Sequence, residues 1–107
     1  MKWKIEYTKF ALNDLKRLDP YNRKYVLKAI EKTAERPLPP PEGVGKPLGN
    51  HSNTKLPGFY KIKLRNLCYR VVYGLIKNDK VMEIIVISIR NDEEVYKEAE
   101  RRINKSK

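Results

Sequence analysis

Cysteine, histidine and tryptophan occur once each in this chain of 107 residues. The lone thiol, Cys68, cannot close an internal disulfide, which favours a reducing compartment and hence the cytoplasm. It falls at a strand start with no histidine near it in sequence, so it reads as a buried or incidental thiol rather than a nucleophile. The lone histidine, His51, excludes a two-histidine acid–base mechanism and reads as an exposed loop residue. No Cys/His cluster has zinc spacing, and Gly43-Val44-Gly45-Lys46 lacks both the Walker spacing and the strand before it. Long apolar runs are missing too. The longest, Ile84–Ile87, is strand length and far short of the ~20 residues that span a bilayer. The first residues, Met1–Glu6, contain no apolar core of a signal peptide. These absences lead us to expect no metal, no small-molecule cofactor and no membrane.

Acid is the other shortage. Lys and Arg number 24 against 13 Asp and Glu, a net charge of +11. Such an excess strains a compact chain by self-repulsion and signals a polyanionic partner, nucleic acid first. From Gly43 to Asn78 there is no acid at all, whereas Lys46, Lys55, Lys61, Lys63, Arg65, Arg70 and Lys77 all fall there.

What remains is enough for one domain with its own core. Trp3–Tyr7 alternates as a strand does. Thr8 can cap a helix on which Ala11, Leu12, Leu15 and Leu18 recur. Asp19-Pro20 reads as a cap followed by proline at the first helical position. The second helix carries Val26, Leu27, Ile30 and Ala34 and stops at about Arg36, before Pro37. Residues Pro37–Pro57 hold six of the seven prolines and three of the five glycines, and read as an internal loop. Strands follow at Phe59–Arg65, Tyr69–Ile76 and Val81–Arg90, the last two joined by a turn at Asn78-Asp79. A final helix runs from Asp92 to Ile103. Glu93 and Glu94 suit its positive end, which accounts for the acids there more simply than a metal site does. The order is βααβββα, and the class is α+β with a mostly antiparallel sheet of about four strands.

On the strand Phe59–Arg65, Tyr60, Ile62 and Leu64 turn to the core, so Lys61, Lys63 and Arg65 share the other face. Neighbours on one face lie ~6–7 Å apart, a spacing suited to successive phosphates. Charged edge strands also occur merely to discourage pairing; the acid-free window favours RNA or phosphate binding. RNA carries its own nucleophile, the 2′-hydroxyl, so an enzyme without histidine need only align it, stabilise charge on the phosphate and move protons. A lysine serves as base where neighbouring cations and burial favour its neutral form, a setting that Lys61, Lys63 and Arg70 would give one another. Arginine clamps phosphate oxygens.

Tyr60-Lys61-Ile62-Lys63-Leu64-Arg65, Tyr69-Arg70-Val71-Val72-Tyr73, Val86-Ile87-Ser88 and Glu94-Val95-Tyr96 together resemble RelE-type toxins. The likeness covers nearly the whole chain and is strongest from Phe59 to Ile103. It implies one RelE-like domain over residues 1–107, with an N-terminal helical hairpin and a C-terminal helix. It also implies a toxin that enters the ribosomal A site and cuts mRNA without metal, leaving a 2′,3′-cyclic phosphate. A cognate antitoxin, the ribosome and mRNA would be its partners. By the same resemblance Lys63 is the base, Lys61 and Arg70 hold the phosphate, and Tyr96 stacks on or orients a base. Arg90 takes the place of a family arginine before the last helix, where the segment from Ser88 to Val95 is shorter and more acidic than in RelE. Arg65, Lys55, Arg101 and Arg102 are candidate RNA contacts, with Lys105 and Lys107 in the basic tail. The alternatives are a gyrase-directed toxin of the ParE type on the same fold, and a non-catalytic RNA- or ribosome-binding protein.

Overall fold

The structure is a computed structural model, and it describes residues 2–38, 43, 46–47, 58–64, 68–89 and 92–105. The elements are β1 (Lys4–Tyr7), α1 (Lys9–Lys16), α2 (Pro20–Thr33), β2 (Lys46–Pro47), β3 (Phe59–Leu64), β4 (Tyr69–Ile76), β5 (Val81–Ser88) and α3 (Asp92–Lys105). They build one five-stranded sheet in the order β1-β5-β4-β3-β2. Only β1 runs parallel to its neighbour, and the remaining pairs are antiparallel. The α+β class and the element order are as expected, with the two-residue β2 added inside the Pro/Gly-rich segment. The expected strand ends at Arg65 and Arg90 lie outside the described residues.

Local chemistry explains the helix starts. The Thr8 hydroxyl accepts from the Ala11 N–H at 3.1 Å, and the Asp19 carboxylate accepts from the Asn22 N–H at 2.8 Å. Each cap satisfies one of the N–H groups that a first turn leaves without a partner. Pro20 then opens α2 at a position where its missing N–H costs nothing. On α1 Ala11 and Leu15 turn to the core, joined by Leu18 just past the helix, while Leu12 is exposed. A step of one residue turns the chain about 100° around a helix, so Leu12 leaves the stripe that Ala11 and Leu15 share.

The sheet divides the core in two. One face buries Tyr60, Val71, Tyr73, Met82, Ile84 and Ile87 against Ala11, Leu18, Val26, Ile30 and Ala34 of the helical hairpin. The other buries Val72, Ile85 and Val86 against Val95, Tyr96 and Ala99 of α3. Alternation along β3 and β4 assigns residues to these layers. Gly74 stands opposite Phe59, whose ring lies 2.8 Å from where a Cβ would be; a side chain there would displace the ring. Buried Tyr73 donates its hydroxyl to the Pro37 carbonyl at 2.9 Å and ties down the start of the Pro/Gly-rich segment. Burial raises its pKa well above the ordinary tyrosine value, with nearby Tyr60 adding to the shift.

The outer edge of β5 is closed in two ways. β1 pairs with its first half, Val81–Ile84. Beyond that point side chains take over. The Ile87 N–H donates to Asp14 at 3.0 Å, and Arg102 donates to the Ile85 carbonyl at 2.9 Å. The same Arg102 meets Asp14 at 2.7 Å and Glu98 at 2.6 Å. Backbone groups that would invite a foreign strand are thereby occupied, and α1 is pinned to α3. Among the described residues, no helix is long and apolar enough to cross a membrane.

Candidate nucleic-acid interface

Register decides which cations meet. β3 and β4 pair Lys63 with Arg70 and Lys61 with Val72, and β4 and β5 pair Arg70 with Ser88. Residues directly opposite in an antiparallel pair lie ~4.5–5.5 Å apart at Cβ. Lys63, Arg70 and Ser88 thus form a row across three strands. Lys61 stands beside Lys63 on the same face, two residues along β3. All three cations are half-buried. A hollow of about 250 Å³ is lined by Lys63, Leu64, Cys68, Tyr69 and Arg70. Cys68 is exposed rather than buried, with a left-handed backbone at φ 58°: the strand start is a turn, not the interior.

The Lys61–Val72–Val86 row runs under α3. Its side chains Val72 and Val86 pack with Tyr96, and the Lys61 ammonium donates to the Tyr96 hydroxyl at 2.8 Å. That ammonium is 5.6 Å from the ring centroid. Together the two distances put it end-on beyond the hydroxyl and off the ring face, so the contact is a hydrogen bond and not a cation–π pair. Here an expectation is corrected. Tyr96 is 1% exposed, so its ring cannot serve as a stacking platform for a base; α3 needs it as core, and only the hydroxyl reaches the site. Sequence position could not reveal this, because a helix start offers both inward and outward directions.

Arg102 is corrected as well. Its side chain is only 13% exposed and lies between Asp14 and Glu98, so it is a structural cation rather than an RNA contact. Its guanidinium also sits 5.4 Å from the Phe10 ring centroid. Burial lowers the Arg102 pKa, but hydrogen bonds to Asp14 and Glu98 outweigh that and hold it above the ordinary value. Burial likewise pushes Glu98 up, and hydrogen bonds from Arg102 and Arg101 more than reverse it, leaving the carboxyl below its usual range. Arg101 remains largely exposed and pairs with Glu98. Arg65, Lys55, Arg90 and His51 lie outside the described residues, as does Lys107, and nothing is described of the side chains of Lys46 and Lys105.

Ser88 and Asp14 carry no signal that sequence reasoning could use alone. Ser88 enters the row only through the β4–β5 register, and Asp14 is one polar residue on a short helix. Among the described residues, no group of three His, Cys, Asp or Glu side chains could hold a metal ion. The arrangement provides fixed cations beside a hollow, a hydroxyl on one of them, and a neighbouring serine. Such a set can bind a phosphate and stabilise added charge on it.

Comparisons with known proteins agree on one lineage. A family model described as the ParE toxin of the type II toxin–antitoxin system parDE matches residues 5–96. The mRNA interferase toxin RelE of Escherichia coli (strain K12) is 29% identical over 103 residues, covering 96% of this chain and 99% of that protein. A structure of the E. coli RelE toxin in the free state, with two arginines replaced by alanine, superposes with a TM-score of 0.70 at 29% identity. The two chains are covered to 96% and 99%. The same doubly substituted toxin bound to a peptide of the antitoxin RelB gives 0.69 at 29% identity, with 92% and 95% covered.

Proposed function

The chain belongs to the ParE toxin family of type II toxin–antitoxin systems, and we propose that within it this protein is an mRNA interferase of the RelE kind. The observation that carries the reading is the register that sets Lys63 against Arg70, beside Lys61 held by Tyr96. In this reading mRNA in the ribosomal A site lies along β3 and β4. Lys63 removes the proton from the 2′-hydroxyl, which attacks the adjacent phosphorus. Arg70 and Lys61 bind the phosphate oxygens as charge builds on them, and the 5′-oxygen leaves to give a 2′,3′-cyclic phosphate. The reaction so written uses no metal. Tyr96 acts through its hydroxyl, positioning Lys61, and Arg90 is the proposed family arginine, as leaving-group acid or as stabiliser of the charge on the leaving oxygen. A cognate antitoxin is the proposed partner, supported by the RelB complex of the E. coli relative.

Primer extension on mRNA after brief induction tests the reading: new 5′ ends should appear within reading frames, and Lys63→Ala should abolish them. Intact mRNA in arrested cells would sink it. The family model's ParE description favours one second reading, a gyrase-directed toxin. That reading requires DNA damage without mRNA cleavage, and it leaves the Lys61–Lys63–Arg70 cluster without a task.

A further inference from the structure

The cations of the candidate site occupy the α3 side of the sheet. On the other side α2 turns a second cationic surface outward. Tyr21, Tyr25, Lys28 and Lys32 recur four, seven and eleven residues along α2, which is one stripe of a helix. The stripe faces away from Val26 and Ile30, the residues α2 buries. Tyr21 is 64% and Tyr25 48% exposed. Their rings lie 5.0 Å apart at the centroids with a 55° tilt, so two large apolar side chains stand together in water. Lys24 flanks them. A shallow groove of about 670 Å³ runs along the same flank, lined by Leu27 with Lys24, Lys28 and Lys32, and by Glu31 and Glu35. The acids do not cancel the cations at the ring pair. Glu31 is paired with Lys2 and Glu35 lies at the far end of the groove, ten residues from Tyr25, which leaves Asp19, the cap, as one acid against Lys24 and Lys28 there.

We propose that this stripe is a second RNA-docking surface, on which an unpaired base stacks against Tyr21–Tyr25 and its flanking phosphates lie on Lys24, Lys28 and Lys32. A partner protein that took an aromatic pair would surround it with apolar contacts. Here Lys24 and Lys28 follow within a turn of the rings on α2, and aromatic rings near a basic groove are how single-stranded nucleic acid is held without reading its sequence. Because α2 and the Lys63–Arg70 row lie on opposite sides of the sheet, the RNA held on α2 is a different stretch from the one that would be cut. The proposal deepens the interferase reading and rests on it for the choice of polyanion.

The test is fluorescence anisotropy with a labelled RNA hairpin carrying an unpaired loop, in a Lys63→Ala background so that nothing is cut. The Tyr21→Ala/Tyr25→Ala pair should weaken binding about tenfold or more with the salt dependence unchanged. Tyr21→Phe/Tyr25→Phe should stay within about twofold, since stacking needs the ring and not the hydroxyl. Lys24→Ala/Lys28→Ala should lower the salt slope by about two phosphate contacts. Thermal melts should be unchanged for the alanine pair, because both side chains are exposed. The proposal is overturned if the alanine pair binds within about twofold of its background. It is overturned equally if the phenylalanine pair loses as much as the alanine pair, or if only affinity for the purified antitoxin falls. The cleavage assay on the unmutated chain is a separate readout. A protein that binds through the tyrosines but never cuts refutes the interferase reading alone, and one that cuts mRNA with unchanged RNA binding in the alanine pair refutes this proposal alone.

Discussion

At the end of α3, opposite charges meet: Arg102 lies between Asp14 and Glu98 and reaches the Ile85 carbonyl. On β3 and β4 charge is arranged otherwise. Neither strand carries an acid, and the ladder sets Lys63 against Arg70 with Lys61 alongside. Both regions are cationic side chains partly withdrawn from water, but they answer different demands. A withdrawn ion pair gains Coulomb energy and loses hydration in comparable amounts, so its contribution here is geometric: it fixes α3 against α1 and occupies the edge of β5. Like charges side by side repel one another, and a polyanion lying along them would be attracted to the row. Cations set between acids hold the fold at the α3 end, whereas the cations of β3 and β4 gather on strands that carry no acid of their own.

The most direct way to break this contrast is to remove one charged side chain from each region. Lys63→Ala should reduce mRNA cleavage by at least about a hundredfold, as expected for loss of a general base, while leaving the melting temperature nearly unchanged. Asp14→Ala should do the reverse. It leaves the Ile87 N–H without its acceptor and Arg102 without one of its carboxylates, at a cost of about 3 kcal/mol. That lowers Tm by more than about 10 °C in a domain of this size. Equal effects of the two substitutions on both readouts would erase the distinction.

Finer probes sharpen it. Tyr96→Phe keeps the core ring and deletes only the hydroxyl that accepts from Lys61, so cleavage should slow by about tenfold with little change in stability, measured by single-turnover cleavage and by melting. Acid should act on the α3 end. Glu98 is held below its ordinary carboxyl range in the folded state. Its contribution is therefore present above the unfolded value of about 4.3 and is lost as pH falls through the lower folded value. Urea unfolding at pH 6 and pH 3 should show this loss, and Glu98→Gln should remove that part of the difference. Arg101→Ala is the smallest change. Its own side chain is largely exposed, so stability should move by less than about 0.5 kcal/mol.

The two regions differed in how far they could be read from residues. The β3 cluster was legible because strand alternation is a period of two, and Tyr60, Ile62 and Leu64 turned inward put Lys61 and Lys63 outward. Arg70 was legible as a strand residue, while its meeting with Lys63 needed register. At the α3 end Arg102 looked like one basic residue among many near the end of the chain, because its partner Asp14 is 88 residues away. Tyr96 was recognised, but its burial was not, since which side of α3 faces the sheet depends on where the helix docks.

The sequence alone determined the βααβββα order, the two helix caps, the acid-free basic strands and the excess of positive charge. These rest on periodicity, local hydrogen bonding and composition, all of which act between near neighbours. Tertiary structure alone decided that Lys63 faces Arg70, that Tyr96 gives only its hydroxyl to the site, that Asp14 and Arg102 close the edge of β5, and that Tyr21 and Tyr25 stay in water. Those outcomes depend on strand register and helix docking, which are set by burying the two faces of the sheet at once. No single segment holds that information.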